Sequence, residues 1–389
     1  MLGRGRPTIA IVAALLALAP ASAAAGPTDP VQPTSPAPFV LHDAGTWTTN
    51  EGIVADLAKS MPPATVAAVM RDVNRSTRTL GSVVSRVENV ANGYRWAPGD
   101  DAVKTWYPQG ISTSADATDD GKWGANRIQL VSWYGKGARA SAGVRISFVQ
   151  ANRLRGARYR HVLLVEPYRH PDGTPDFRAV RIHAGGIAWY GSYLYVADTN
   201  HGLRVFDVRR MLRTTSSAKG VVGSAGGGKY AAAAYKYVLP QVSSYQQPAG
   251  AGLVFSFVSV DRGSSPQSLV TGEYRKGKPG GRLVRWPLDA PSDRLAGGAD
   301  VHANGAYVMP QTNVQGALSA AGRLFLSASA GARGNGTLTS DVPGQPSKAY
   351  AWGYGAEDLT YSPLSGRVYS LTEHPGKRAV YAVPAAALP

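Results

Sequence analysis

From about Lys104 onward, apolar and polar residues alternate in short runs broken by glycine turns. That two-residue period belongs to half-buried β-strands. The best-defined unit is residues 182–208, IHAGGIAWYGSYLYVADTNHGLRVFDV, which holds three short strands. Gly191-Ser192 and Asn200-His201-Gly202 supply its hairpin turns,. Relatives of the unit recur at residues 108–116, 314–329 and 357–383, and residues 253–288 add further strands. Unevenly spaced copies of a three- or four-stranded meander are the mark of radial sheet repetition. The pattern predicts an all-β fold, a β-propeller with five blades favoured and six next. The predicted blades lie near 108–149, 183–208, 235–288, 313–352 and 357–383. Residues 160–165 supply the outer strand of the first or open another. A two-sheet sandwich is the rival, and it would not require the strand triplet to recur.

Before the alternating region the period changes. Residues 48–50 are placed to cap a short helix carrying Ile53, Val54, Leu57 and Met61, which Pro62 and Pro63 break,. Val66, Val69, Met70, Val73, Leu80, Val83, Val84, Val87 and Val90 then recur at three- and four-residue steps, predicting a second, amphipathic helix that ends near Gly93,. Its apolar stripe is expected to pack on the neighbouring domain. Upstream, Arg4 and Arg6, an apolar run at 9–19 and small residues at 21–25 have the order of a secretory signal,. The run is too short to span a bilayer, which takes about 20 residues. The expected layout is a signal peptide (1–25), a Pro-rich solvated linker (26–42), a short α-helical N-terminal segment (43–103) and the propeller domain (104–389). This describes a secreted, extracellular bacterial protein, a monomer with no transmembrane segment after signal removal.

Cysteine is absent, which excludes disulfides, zinc–thiolate sites and a cysteine nucleophile,. The net charge is +16, or +14 without Arg4 and Arg6. Such a field draws in anions and is weakened by salt. Basic residues cluster at Arg153, Arg155, Arg158, Arg160 and His161, at Arg204, Arg209, Arg210 and Arg213, and at Arg275, Lys276, Lys278, Arg282 and Arg285. They point to an extracellular polyanion as a partner, or else to solvated loops. No motif for sequence-specific nucleic-acid reading is present. A Gly-x-Ser-x-Gly elbow, a Walker loop and a His-Glu-x-x-His helix are all missing,. Residues 116–121 (DATDDG) imitate the start of an EF-hand loop, but Arg127 stands where the bidentate Glu is required, so an acidic surface turn is expected,.

The run GIAWYGSYLYVADTNHGLRVFDV resembles an NHL-type blade. PQGISTSAD, VSWYGKG, YRHVLLVEP, IHAGGIAWYG, SLVTGEYR and EDLTYSP together resemble exported bacterial β-propeller proteins of largely uncharacterised function. The resemblance spans most of residues 104–384 and implies the fold, without an established activity.

In a propeller the starts of the innermost strands converge on one axis. Here those positions are Gln109, His183, Gln315, Glu357 and Asp358, with Ser112, Asn313 and Asp116 nearby. Amides, a carboxylate pair and a histidine suit a polar small molecule, or calcium held through Glu357, Asp358 and Asn313. The alternative is an ordinary polar channel lining, with His183 a structural histidine. Strand alternation predicts that only one of Glu357 and Asp358 faces the axis. Two functions follow. One is non-catalytic binding of an anionic or polar extracellular ligand. The other is an extracellular hydrolase or lyase acting on a sugar, lactone or ester through a metal-assisted channel site.

Overall fold

The computed structural model describes residues 29–137, 142–152 and 154–388. The predicted signal peptide lies outside them, as does Arg153. The fold is an all-β propeller. Among the described residues, five antiparallel four-stranded meanders surround one axis. Their innermost strands are Trp106–Thr113, Ile187–Tyr190, Phe257–Asp261, Val314–Ala320 and Ala356–Ser362. Each lies against the next and the last returns to the first, so the ring closes. These meanders are numbered I to V in that order.

The outer strands show where pattern and structure part. Arg158–Arg169 is the outer strand of blade I. Tyr237–Gln246 does not open blade III; it closes blade II against Gly202–Asp207, after a long excursion through residues 208–236. Blade III begins at Phe257 and takes Gly305–Met309 as its fourth strand. The fourth strand of blade V comes from the far end of the sequence: Asn92–Arg95 pairs with Ala379–Pro384. Blade V is thus completed by a strand from the N-terminal segment.

The N-terminal stretch differs most from expectation. Within the described part of the Pro-rich linker, Gln32–Thr34 adds to the edge of blade III, and Val40–Asp43 pairs with the outer strand of blade II. Proline is tolerated on such an edge because its missing N–H has no partner to lose. Val31 is fully buried beside Phe257 and Val270. The first helix forms at Trp47–Leu57 and buries Ile53, Val54 and Leu57 against Leu163, Phe177 and Leu212. The second helix stops at Arg71 after six residues. Beyond it, Arg75–Ser76 pairs with the outer strand of blade I, and Gly81 takes a φ of +62°, which no continuing α-helix accommodates,. Val84 and Val87 still bury their side chains, now from turns packed on Leu318, Phe325 and Trp352. Their spacing reported burial correctly and secondary structure wrongly.

Candidate functional site

Closure of the inner ring requires backbones to pass where side chains would collide. A Cβ on Gly110 would stand 2.6 Å from Ile187 N, one on Gly186 2.2 Å from Val258 N, and one on Gly316 2.6 Å from Asp358 Cα. Glycine is the residue that permits these approaches. Hydroxyls complete the ring: Ser132 Oγ donates to the Ala184 carbonyl (2.9 Å), and Ser259 Oγ to the Ala317 carbonyl (2.7 Å).

At the start of the inner strands of blades I, IV and V the register slips, between Pro108 and Ile111, Val314 and Gly316, and Ala356 and Leu359. A bulge of this kind re-aims side chains that regular alternation would send to opposite faces. Glu357 and Asp358 are consequently both buried, against the expectation that only one turns inward. Asp358 reaches across the axis, its Oδ2 accepting from the backbone N–H of Ile111 (3.1 Å) and Ile187 (3.4 Å). Its Oδ1 is buried with no partner. The axis is plugged at this level by a carboxyl group.

On one side of the plug, polar side chains from three blades meet in a cluster, the axial cup. Gln109 Nε2 donates to Glu373 Oε2 at 3.0 Å, and Gln315 Nε2 to Glu357 Oε1 at 3.4 Å. Gln109 and Glu357 are almost wholly buried, whereas Gln315 and Glu373 retain some exposure. Tyr134 and the exposed His183 pack edge-to-face at 4.5 Å beside them. Burial, then the charges of Glu373 and Asp358, push the Glu357 carboxyl well above the usual range. Burial likewise raises Glu373 and Asp358. Burial and the two glutamates raise the Tyr134 hydroxyl to about 12. On the far side of the plug, Asp116 Oδ2 accepts from Ser112 Oγ (2.7 Å), Thr113 N (2.7 Å) and Thr360 Oγ1 (2.6 Å). Burial raises this carboxyl too.

The structure thus gathers Gln109, Gln315 and Glu357 in the cup, sets Asp358 beneath them and His183 at the rim. Asn313 stands apart, its Oδ1 accepting from Gly277 N at 2.8 Å, which removes it from the expected calcium ligands. Among the described residues, no three His, Asp or Glu side chains converge in a metal-binding group. Glu373 and Tyr134 escaped the sequence reading. Both follow the second strand of a meander or end it, and only the repeat of bulges could have marked that level of the axis.

Most arginines in the basic clusters are occupied. Arg160 pairs with Asp72 (3.0 Å), Arg204 with Asp198 (2.8 Å), Arg209 with Asp207 (2.8 Å) and Arg282 with Glu273 (2.6 Å), and Arg285 pairs with Asp261. These are local ties within the sheets and leave little for gripping a polyanion. In the DATDDG turn, Asp120 Oδ1 accepts from Thr118 Oγ1 and Lys122 N, and Asp119 pairs with Arg262.

Blade I also contains a Ser–His–Asp arrangement absent from the sequence reading. Trp133 Nε1 donates to Ser147 Oγ (2.8 Å), Ser147 Oγ lies 2.9 Å from His161 Nδ1, and His161 Nε2 lies 3.2 Å from Asp100 Oδ2. Burial, then the Arg145 charge, lower His161 to about 3, so it is neutral. The likeness to a catalytic triad ends at access. Ser147 is fully buried under the indole that binds its hydroxyl, where no substrate carbonyl reaches,. The network ties strands together.

No family model matches the chain, and no curated protein matches it. Solved structures with a similar course include the GH43_1 enzyme from Xanthomonas citri complexed with xylotriose. That match has 10% identity and a TM-score of 0.36, covering 86% of this chain and 93% of that one. Another is the Cps50 (Swd1) beta-propeller domain of Myceliophteria thermophila, at 7% identity and a TM-score of 0.37, covering 76% and 98%.

Proposed function

We propose that this chain is a ligand-binding propeller, working outside the cytoplasm, whose axial cup takes a small uncharged, hydroxyl-rich molecule such as a saccharide. The observation that carries this reading is the pair of amide–carboxyl contacts, Gln109–Glu373 and Gln315–Glu357, drawn from three blades to one point. Burial favours the acid form of these carboxyls, in which they donate as well as accept, as the amides and a phenol do,. A cup of such two-way groups matches hydroxyls, which both donate and accept. A free anion would meet carboxyl oxygens, so the cup favours the polar ligand over the anionic one. The edge-packed rings of Tyr134 and His183 form an adjoining wall for the C–H face of a sugar,. The charge–apolar–small order of residues 1–25 supports export,.

Isothermal titration with xylose, glucose and cellobiose tests the reading. Saturable binding by the parent, lost in Gln315→Ala, is expected. Silence toward all three sugars, or unchanged binding in the Gln109→Ala/Gln315→Ala double variant, would overturn it.

A catalytic reading has one observation in its favour: Glu357 and Glu373 each accept from an axial glutamine, Gln315 and Gln109, so two carboxyls lie in one polar cluster, where the Glu373 charge adds to burial in pushing Glu357 up,. Such a pair can act as acid and base on a glycosidic bond. Turnover of nitrophenyl glycosides that disappears in Glu357→Gln while saccharide binding persists would select this reading. Absence of turnover in the parent leaves simple binding.

A further inference from the structure

At the opposite end of the axis, blades V and I part to leave a pocket of about 390 Å³ that plays no role in the cup. Its chemistry is the reverse of the cup's. Two arginines line it, Arg127 before the second strand of blade I and Arg367 at the start of the second strand of blade V, and no Asp or Glu does. Among the described residues, neither guanidinium makes an ion pair, unlike most of the arginines described above. Asp120, the acid that feels the Arg127 charge, is bound instead to Thr118 and Lys122.

Two residues that line the pocket each carry a buried polar atom without a partner. Gln129 is fully buried, and its Oε1 accepts from the Tyr94 hydroxyl at 2.8 Å, which fixes the amide and leaves Nε2 undirected to any protein acceptor. Asn92 Oδ1, on the outer strand of blade V, lacks a donor. An unsatisfied buried polar group is expensive, by roughly 1–3 kcal/mol, and persists where something else satisfies it. A donor amide and two arginines without ion pairs in one pocket call for an oxyanion, and an acceptor in the same pocket calls for a hydroxyl,. The rest of the wall mixes hydroxyls such as Ser362 and Ser365 with apolar side chains: Leu154 is buried, and Leu364, half-exposed at 51%, is the one large hydrophobic side chain left substantially open among the described residues.

We infer that this pocket binds a small organic hydroxycarboxylate, its carboxylate between Arg127, Arg367 and the Gln129 amide, its hydroxyl toward Asn92, and its apolar part against Leu154 and Leu364. The net positive charge of the chain steers such an anion toward the protein without selecting the pocket,. Selection comes from the unpaired groups. The site is independent of the cup, and the two proposals stand or fall separately.

The probe is mandelate, which carries a ring, a hydroxyl and a carboxylate, titrated against the full chain by calorimetry and by its effect on melting temperature. Saturable binding is expected, with methyl mandelate, its uncharged ester, weaker by about tenfold or more. Phenylacetate, which keeps the charge and lacks the hydroxyl, is expected in between. The Arg127→Gln/Arg367→Gln double variant should lose about tenfold or more in mandelate affinity while its own melting temperature and its response to saccharides stay unchanged. No saturable binding of mandelate or phenylacetate at millimolar concentration overturns the inference. So does equal affinity for the ester, or full affinity in the double variant.

Discussion

Two groups of buried acids live in opposite surroundings. In the first, Asp100 and Asp101, on the short helix Pro98–Ala102, are ringed by cations. Asp100 meets Arg145 (2.9 Å) and Arg75 (3.1 Å) and accepts from the Tyr159 hydroxyl (2.6 Å). Asp101 meets Arg78 and Arg95 and accepts from Arg378 N at 3.0 Å. In the second group, Glu357, Asp358 and Asp116 have hydroxyls, amides and backbone N–H groups around them and no ion pair among the described residues. Burial by itself would raise Asp100, Glu357, Asp358 and Asp116 alike. At Asp100 the neighbouring His161, Arg145 and Tyr159 overcome it and hold the group well below the usual carboxylate range, while the axial acids stay raised. The partner, and not the depth, decides the charge state. The cation-ringed pair clasps the N-terminal segment to blades I and V. The axial set, its acid forms favoured by burial, is left able to give and take hydrogen bonds at the cup.

Removing one side of the clasp should have the largest effect. Arg145 is buried between the rings of Trp106 (4.5 Å) and Trp133 (4.8 Å), so Asp100→Ala strands a cation that cannot reach water. A loss of about 3–5 kcal/mol is expected for breaking such a pair. Urea unfolding reads it directly, and a change below about 1 kcal/mol, the range of exposed pairs, would mean the clasp is ornamental.

The axial region depends on backbone approach where the clasp depends on charge. Gly186→Ala places a methyl 2.2 Å from Val258 N and 2.6 Å from Phe257 Cα, atoms that have no rotamer to adjust. A cost of about 1–3 kcal/mol is expected for this overpacking. Unlike the clasp variant, its penalty should be indifferent to salt and pH. A penalty that salt alters would place electrostatics in the ring after all.

How much of this was legible before folding divides along the same line. The period-two runs and the recurring triplet named the blades, because side-chain alternation is a local property. The repeat of Gly110, Gly186 and Gly316 before apolar residues marked the axis for the same reason. Asn92–Arg95 as the outer strand of blade V was not legible, since the pairing spans most of the chain. The helix expected through Val90 failed because its spacing encoded only burial, and Gly81 and strand pairing at Arg75 decided the conformation. Glu373 stayed hidden for want of a motif. Its place beside Glu357 arises from the bulge between Ala356 and Leu359, which no periodicity announces.

A pH profile should show the two groups pulling in opposite directions. His161 is lowered from 6.5 to about 3, so stability it supports is complete above 6.5 and declines as pH falls toward 3. The axial acids are raised, so their contribution is complete below the unfolded values of 3.8 and 4.5 and is lost as pH rises through their folded ones. Each group changes stability by about 1.4 kcal/mol per pH unit inside its window. Unfolding midpoints measured from pH 3 to 9 should therefore pass through a maximum on the acid side of neutrality. A profile that climbs steadily to pH 9 would show the axial carboxyls to be ionised.

Asp358→Asn should have the smallest effect, and it makes the finest distinction between the two groups. If the Asp358 carboxyl holds its proton, an amide of the same shape can take its place. Its oxygen accepts from Ile111 N and Ile187 N as Oδ2 does now, and its NH₂ stands where the acid proton was,. The expected cost at pH 7 is below about 1 kcal/mol, within the net worth of one hydrogen bond. Toward pH 9 the variant should gain on the parent, because the amide has no proton to lose. Urea unfolding at the two pH values measures both. The Asp100→Ala penalty supplies the contrast: should Asp358→Asn prove comparably destabilising at pH 7, the axial carboxyl carries a charge and the difference between the two buried groups disappears.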